Sequence, residues 1–305
     1  MRVLAAALGL LLFVGCASET EVLVGSTAPT GVDVSSCAPT PEAPLAGLVA
    51  VTSEAHVHVW NRPGAAGFVD LGMLGSSLTD QPTEGEGAFV ESAAVVPATC
   101  GVFVGLCCEP VSGLTKWFES PDVAPVDIFG RLPAVSPDGA RVALVGYGIL
   151  EVRSVEDPTS EGTTIKVPGD GSAPVLDLMW LDGDRLVLLV SSGTSVPELH
   201  VATVSEGMMS QPFGFLGTES DVEGVLLSGV DGGTLEVQVR SSSGIRVIAL
   251  DTTTLEVTGE GKSLPGFVRR NGDRTVLVSP NGNLSAYTEG DVDPTPVGDG
   301  YLWAG

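Results

Sequence analysis

The feature that most constrains this chain is a short unit that recurs four times between residues 136 and 287. Each copy begins with Asp or Asn followed by Gly, continues as a run of branched apolar residues, and ends, after a loop, in an alternating strand. The turn pairs are Asp138-Gly139, Asp182-Gly183, Asp231-Gly232 and Asn271-Gly272, separated by 44, 49 and 40 residues. Because such a unit cannot bury both of its faces alone, the copies must stack against one another.

These separations are typical of the blades of a β-propeller. Residues 45–305 contain no convincing helical stretch, and their apolar runs of four to seven residues are bounded by Gly, Pro, Asn and Asp. Dividing this length by the repeat period gives about six units. The sequence therefore predicts an all-β fold, a β-propeller of about six four-stranded blades, with a β-sandwich pair as the alternative.

A propeller must also join its first and last blades. The apolar segment Tyr301-Leu302-Trp303 could supply a closing strand at the end of the chain. The first two blades are expected within residues 48–60 and 95–108, where further apolar runs occur.

One copy of the unit has a recognisable sequence. The string Ser136-Pro137-Asp138-Gly139-Ala140-Arg141, followed by apolar residues, resembles the SPDG-x-R signature of TolB-like, or WD40-like, β-propeller repeats. Only this copy is complete, and the resemblance extends over about residues 132–287. It implies a propeller and, since TolB-like propellers bind envelope proteins, an envelope partner. The repeat is a scaffold element, so it does not identify that partner.

The N-terminus predicts export. Residues 1–15 carry one Arg and an unbroken apolar run from Val3 to Phe13, typical of a secretory signal and too short for the about 20 residues of a membrane span. The sequence Leu12-Phe13-Val14-Gly15-Cys16 resembles the lipobox of bacterial lipoproteins. This resemblance implies a mature chain that begins at an acylated Cys16, with palmitate among its chains, and Ala17 favours the outer membrane. An ordinary signal peptide with an incidental cysteine is the alternative.

Residues 16–44 are rich in Ser, Thr, Pro and Gly and are predicted to be a tether. A flexible segment of that length spans roughly 30 Å root-mean-square. The predicted organisation is a signal peptide (1–15), a lipid-anchored tether (16–44) and a propeller domain (45–305). Contact with the membrane is expected only through the anchor.

Four cysteines remain in the predicted mature chain, Cys37, Cys100, Cys107 and Cys108. An even number in an oxidising compartment predicts two disulfides, for which three connectivities exist. Because a bond between sequence neighbours would be strained, the favoured pairing joins Cys107 and Cys108 each to one of Cys37 and Cys100. A metal cluster is disfavoured because no Cys-x₂-Cys pair faces a second Cys or His pair.

Charge and hydropathy exclude two classes of protein. A formal net charge of −24 and a pI near 4.2 repel phosphate backbones and anionic lipid head groups, so nucleic-acid binding is not expected. A hydrophobic content of 43% and a mean hydropathy of +0.32 are too apolar for a disordered chain.

Motifs for catalysis are absent from the sequence: it has no G-x-S-x-G elbow, P-loop or H-E-x-x-H motif, and only three histidines. His56 and His58 share one strand face and form a weak metal candidate, with Val57 and Val59 expected in the core. Calcium at acidic turns such as Asp182-Gly183-Asp184 is a weak possibility, since turn aspartates commonly bind their own backbone. The four tryptophans are expected to pack in the core in preference to binding sugars.

The resulting prediction is a lipid-anchored envelope propeller that acts as a non-catalytic protein-binding scaffold and needs no cofactor. The alternatives are an extracytoplasmic hydrolase or lyase that uses acidic residues in a central channel, and a carbohydrate-binding surface adhesin. Carboxylates without an apolar platform favour an enzyme, whereas an exposed apolar patch with charge around it favours docking.

Overall fold

The strands follow the period read from the sequence. A computed structural model describes residues 37–38, 45–60, 67–75, 89–107, 113–168, 174–191, 196–214, 221–261, 269–271, 274–278, 284–288, 295–298 and 301–304. All of them belong to one compact unit, Asp33–Gly305. The predicted signal peptide, Cys16 and the tether up to residue 36 lie outside the described residues, as do Cys108 and Gly272.

The described residues form 24 strands, named here in chain order. They are β1 (Val49–Thr52), β2 (His56–Trp60), β3 (Phe68–Met73), β4 (Phe89–Val95), β5 (Val102–Cys107), β6 (Leu114–Phe118), β7 (Val126–Phe129), β8 (Arg131–Val135), β9 (Arg141–Gly146), β10 (Ile149–Ser154), β11 (Thr163–Lys166), β12 (Val175–Trp180), β13 (Arg185–Val190), β14 (Glu198–Thr203), β15 (Met208–Met209), β16 (Val222–Asp231), β17 (Thr234–Ser241), β18 (Gly244–Asp251), β19 (Val257–Glu260), β20 (Arg269–Asn271), β21 (Arg274–Val278), β22 (Leu284–Thr288), β23 (Thr295–Gly298) and β24 (Tyr301–Ala304).

Within these ranges the strands make six four-stranded antiparallel sheets, which confirms the predicted β-propeller. Blades 2 to 6 are β4–β7, β8–β11, β12–β15, β16–β19 and β20–β23, each formed by four consecutive strands. In each of these blades the first strand lies innermost, because β4, β8, β12, β16 and β20 contact one another in that order.

Blade 1 joins the two ends of the chain. Its strand order is β24-β1-β2-β3, so the C-terminal strand pairs with the first strand of the domain. In the register, Ala50 lies opposite Ala304 and Val51 lies opposite Trp303. The predicted closing strand at residues 301–303 is therefore confirmed.

The Asp-Gly and Asn-Gly turns all occupy the same place in a blade. They lie at the connection between the first and second strands of blades 3, 4, 5 and 6, around residues 138, 182, 231 and 271. At the complete copy, the carboxylate of Asp138 accepts hydrogen bonds from the Ala140 N–H at 3.0 Å and the Ser136 hydroxyl at 2.5 Å. Gly139 has a φ of +72°, a conformation in which glycine avoids steric conflict.

Among the described residues the core lies between neighbouring blades, and blades 2, 3 and 4 are covered on both faces. In β9, Val142 and Leu144 pack against blade 2, whereas Ala143 and Val145 pack against blade 4. A strand buried on both faces needs apolar residues at every position, which explains the unbroken run Val142–Val145. Equivalent clusters fill the spaces between blades 1 and 2 and between blades 4 and 5.

Two of the tryptophans pack in these interfaces as expected. The Trp117 ring stacks on Phe103 with centroids 4.1 Å apart. Trp180 is buried and donates its indole N–H to the Ala134 carbonyl of the preceding blade at 2.9 Å. Trp60 is half-buried and meets Phe68 edge to face. The Trp117 ring is therefore buried and offers no exposed surface on which a sugar could stack.

Candidate docking face

The antiparallel blades have two ends, which carry different side chains. The turn face holds the connections between first and second strands, at residues 96–101, 136–140, 181–184 and 232–233. The mouth face holds the start of each innermost strand and the connections between second and third strands, at residues 53–55, 147–148 and 242–243. Every strand begins on one of these faces and ends on the other, so the register assigns each residue to a face.

A disulfide fixes the N-terminal segment at the turn face. Cys37 is bonded to Cys100, with Cα atoms 5.3 Å apart, and both residues are fully buried. The Cys37 N–H also donates to the Pro97 carbonyl at 2.7 Å. The chain therefore enters the domain beside the turn between β4 and β5.

The favoured cysteine pairing was wrong. Cys100 precedes β5 on the turn face, whereas Cys107 ends β5 on the mouth face, and six extended residues span roughly 20 Å. A disulfide requires two Cα atoms no more than about 7 Å apart. Cys37 and Cys100 lie together at the turn face, so neither can reach Cys107 at the mouth face. Cys107 is disulfide-bonded as well.

At the mouth face, four consecutive innermost strands are irregular near their first residues. The register with the second strand shifts between Val90 and Ser92, between Arg131 and Ala134, between Val175 and Asp177, and between Val222 and Gly224. The residues that the register skips are Glu91, Leu132 with Pro133, Leu176 and Glu223. β-bulges change the direction of side chains and are common beside functional sites. Four bulges at the same end of the propeller therefore make the mouth face a candidate functional site.

An ion pair connects three blades at these bulges. The Arg131 guanidinium donates to Glu91 of blade 2 at 2.6 Å and to the Val175 carbonyl of blade 4 at 2.5 Å. The buried Asp177 carboxylate accepts the Leu227 N–H of blade 5 at 2.9 Å. These groups are engaged in holding neighbouring blades together, so their arrangement is structural and not that of a nucleophile with a base.

Exposed aromatic side chains lie on the mouth face. Tyr147 forms the turn between β9 and β10, Phe129 ends β7, and Phe213 pairs with Leu199 near the start of β14. The Tyr147 and Phe129 rings stack with centroids 5.0 Å apart and planes 17° apart. The large hydrophobics exposed at turn-face ends, among the described residues, are all aliphatic: Val123, Val126, Met208 and Val257. Aromatic residues are enriched at protein interfaces, so the mouth face has the character of a docking surface.

Tyr147 is held in an unfavourable backbone conformation. Its φ is +47°, followed by +74° at Gly148, as in a two-residue hairpin turn that usually takes Asn-Gly. The left-handed region costs a residue with a Cβ roughly 1 kcal/mol or more. The ring is 62% exposed, so burial of the ring returns little of this energy. Such outliers concentrate where a side chain is needed for function.

His56 and His58 lie on one face of β2, with Val57 and Val59 buried on the other. The His56 Nδ1 atom lies 2.7 Å from an Asp70 oxygen, and the second Asp70 oxygen accepts the Gly72 N–H at 2.8 Å. Burial lowers the pKa of His58, although Asp70 acts in the opposite direction. Neither histidine belongs to a set of three or more metal-ligating side chains within the described residues.

The turn aspartates bind their own backbone. Hydrogen bonds from the Ser136 hydroxyl and then the Ala140 N–H lower the pKa of Asp138. Asp182 accepts the backbone N–H groups of Asp184 and Arg185 at 2.8 and 2.9 Å. These contacts are the hydrogen bonds expected of Asp in tight turns, and calcium binding stays an untested possibility.

Residues 131–218 match the sequence model of the lipoprotein LpqB beta-propeller domain. This chain resembles a lipoprotein propeller. The matched segment covers blades 3 and 4, including the complete Ser136–Arg141 copy of the repeat. Comparison with curated protein sequences gives no match. Across the described residues, no helix has the length and apolar character needed to cross a membrane.

Solved structures similar to this chain are distant in sequence. The Dos1 propeller has 12% identity and a TM-score of 0.46, covering 86% of this chain and 70% of that one. Kuenenia stuttgartiensis hydrazine synthase has 16% identity and a TM-score of 0.46, with 69% and 67% covered. The β-propeller domain of the trilobed protease from Pyrococcus furiosus has 12% identity and a TM-score of 0.44, with 69% and 86% covered.

Proposed function

We propose that this protein is a lipid-anchored scaffold of the bacterial envelope that binds a partner protein on its mouth face and catalyses no reaction. The lipobox-like sequence ending in Cys16 and the match to a lipoprotein propeller support the anchor. The outer membrane is the proposed location.

One observation carries the proposal: the chain enters on one face, and the exposed aromatic rings lie on the other. Cys37 is held at the turn face, so the proposed tether shortens to residues 17–36. Twenty flexible residues have a root-mean-square span of roughly 25 Å. The mouth face is thus the end of the propeller opposite the point where the chain enters the domain, and we propose that the partner binds there.

The chemistry of the mouth face favours docking over catalysis. Arg131 pairs with Glu91, whereas Leu176, Phe129 and Tyr147 present exposed apolar surface. An apolar platform with charges beside it is the feature that distinguishes an interaction surface from a carboxylate-lined active site.

The test compares two positions of equal exposure on opposite faces. Tyr147 on the mouth face and Met208 at a turn-face strand end are each 62% exposed. A photo-crosslinking amino acid is placed at either position in the full-length protein in cells. We expect a discrete partner adduct from position 147 and at least fivefold less from position 208. Equal yields would contradict the assignment of the partner to the mouth face. Turnover of a substrate that is lost in Glu223→Gln, a change of an acidic residue at the mouth-face end of β16, would contradict the non-catalytic scaffold function.

The anchor has its own test. Cys16→Ser should leave unprocessed or soluble protein on fractionation. A variant that is still recovered as a mature acylated membrane protein would remove the lipoprotein part of the proposal.

A further inference from the structure

The outermost strand of each blade has one unpaired edge, and such edges are normally guarded. Proteins protect them with lysine, proline, bulges or very short strands, because an open edge is a template for another chain. The outermost strands here are β3, β7, β11, β15, β19 and β23.

Five of these six strands carry a guard. β3 contains Gly72 and lies beside a register shift, and β11 ends in the exposed Lys166. β15 has two residues. β19 contains Gly259 and a register shift, and β23 contains Pro296.

The remaining strand, β7, has none of these features. Its residues Val-Asp-Ile-Phe contain no Gly, Pro or Lys, and all four pair with β6 without a shift. Its one charge, Asp127, faces Lys116 of β6 and forms an ion pair with it at 2.5 Å. The edge of β7 is therefore regular, and its one charged side chain is paired with Lys116 within the same blade.

The surroundings of β7 are apolar. Val126 and Phe129, at the two ends of the strand, are 38% and 40% exposed, and Val123 in the preceding loop is 42% exposed. Since side chains alternate along a strand, Val126 shares one face with the buried Ile128, and Phe129 lies on the other face with Asp127. At its mouth-face end, Phe129 stacks on the strained Tyr147 of blade 3. The mouth-face end of β7 therefore lies against the proposed docking surface.

The charges near β7 favour a basic occupant. Glu119 and Asp122 are exposed in the loop that leads into the strand. The whole chain has a net charge of −24, so a second copy of this chain would bring like charges together. Lysine or arginine on a partner meets the opposite charge at this end of the strand.

We propose that β7 accepts an extended segment of the partner protein as a fifth strand of blade 2, with alternate apolar side chains on the face of Val126 and Ile128 and a basic residue near Asp122. This inference rests on the proposed scaffold function and names the chemistry of its partner. In strand addition, main-chain hydrogen bonds supply affinity and alternate side chains supply specificity.

The test selects ligands from a library of random eight-residue peptides displayed against the full mature protein. The selected peptides are then synthesised and their affinities measured by fluorescence anisotropy. We expect alternating apolar residues with Lys or Arg at one end. N-methylation of alternate backbone nitrogens, which removes strand donors, should weaken binding at least tenfold, as should replacement of the basic residues by Glu.

Two protein variants complete the test. Val126→Lys installs on β7 the guard that β11 already has and should weaken peptide binding at least tenfold. Thr164→Lys places the same charge on exposed β11 and should change binding less than twofold. Circular dichroism verifies that both variants fold. If Val126→Lys does not fold, the effect of the N-methylated peptide on binding to the parent protein decides between the outcomes.

The proposal is overturned if no peptide is selected, if N-methylation has no effect, or if Val126→Lys binds like the parent. Such results leave the scaffold function standing when position 147 still yields the partner adduct. Loss of that adduct at every mouth-face position would instead remove the proposed function itself.

Discussion

Removal of the Cys37–Cys100 disulfide tests the way in which the domain is held together at its N-terminal end. The bond joins residues separated by 63 positions, a loop that contains all of β1, β2, β3 and β4. Closing a loop of that length in the unfolded chain corresponds to about 4 kcal/mol at 25 °C when treated as chain entropy. The double variant Cys37→Ser/Cys100→Ser should therefore unfold at a free energy lower by up to about 4 kcal/mol.

Cys100 provides a sharper comparison because its φ is +57°. Serine at this position keeps the unfavourable left-handed conformation, whereas glycine adopts it freely. The variant Cys37→Ser/Cys100→Gly should recover about 1 kcal/mol relative to the double serine variant. This difference separates the backbone effect from the loss of the cross-link.

Urea unfolding followed by tryptophan fluorescence measures both quantities without reductant, so that Cys107 stays in its own disulfide. The m-value should rise in the variants, since an unfolded chain without the cross-link exposes more surface. A stability loss below about 1 kcal/mol, with an unchanged m-value, would refute the argument that the bond acts on the unfolded chain.

Three further predictions concern packing, charge and pH. Gly101→Ala places a Cβ 2.1 Å from the Trp117 ring and should destabilise by about 2 kcal/mol or more in urea, whereas Gly183→Ala, with no atom within 4 Å, should cost less than about 1 kcal/mol. Arg131→Met leaves the partly buried Glu91 carboxylate without its ion-pair partner and should lower the free energy of unfolding by about 3 kcal/mol. A loss under about 1 kcal/mol would show that the Arg131 contacts between blades 2, 3 and 4 do not stabilise the fold. Burial lowers the pKa of His58, so the contribution of this histidine to the free energy of unfolding is complete above pH 6.5 and declines as the pH falls through the folded-state pKa. The urea midpoint should therefore decrease between pH 7 and pH 5, and it should decrease less in His58→Gln.

The architecture could be predicted because blades 3 to 6 each carry a local signal. A turn after the innermost strand requires residues such as Asp138 and Gly139, and the strand behind it must be apolar on both faces, so the period is visible in the chain. Blade 2 escaped this pattern because its equivalent turn, residues 96–101, uses Cys100 in the left-handed conformation in place of an Asp-Gly pair.

The candidate docking face could not be predicted in the same way. Glu91, Arg131 and Val175 are 40 and 44 residues apart and meet only because successive innermost strands surround one axis. The prediction that tryptophans pack in the core is confirmed for Trp117 and Trp180, but it did not identify Phe129 and Tyr147 as exposed rings, since exposure depends on which face a neighbouring blade covers. Tyr147 had one signal in the sequence, its position before a glycine between two strands. Its strained backbone could not be recognised from the sequence, because the strain is seen only in the φ angle of +47°.

Composition, the spacing of turn residues and the apolar runs decided by themselves that this chain builds stacked four-stranded units, because turns and alternation are short-range properties. The pairing of Cys37 with Cys100, the face on which the chain enters and the bare edge of β7 were decided by tertiary structure alone. Each depends on which end of a strand a residue occupies and on what packs beside it, and residues far apart in the chain determine both.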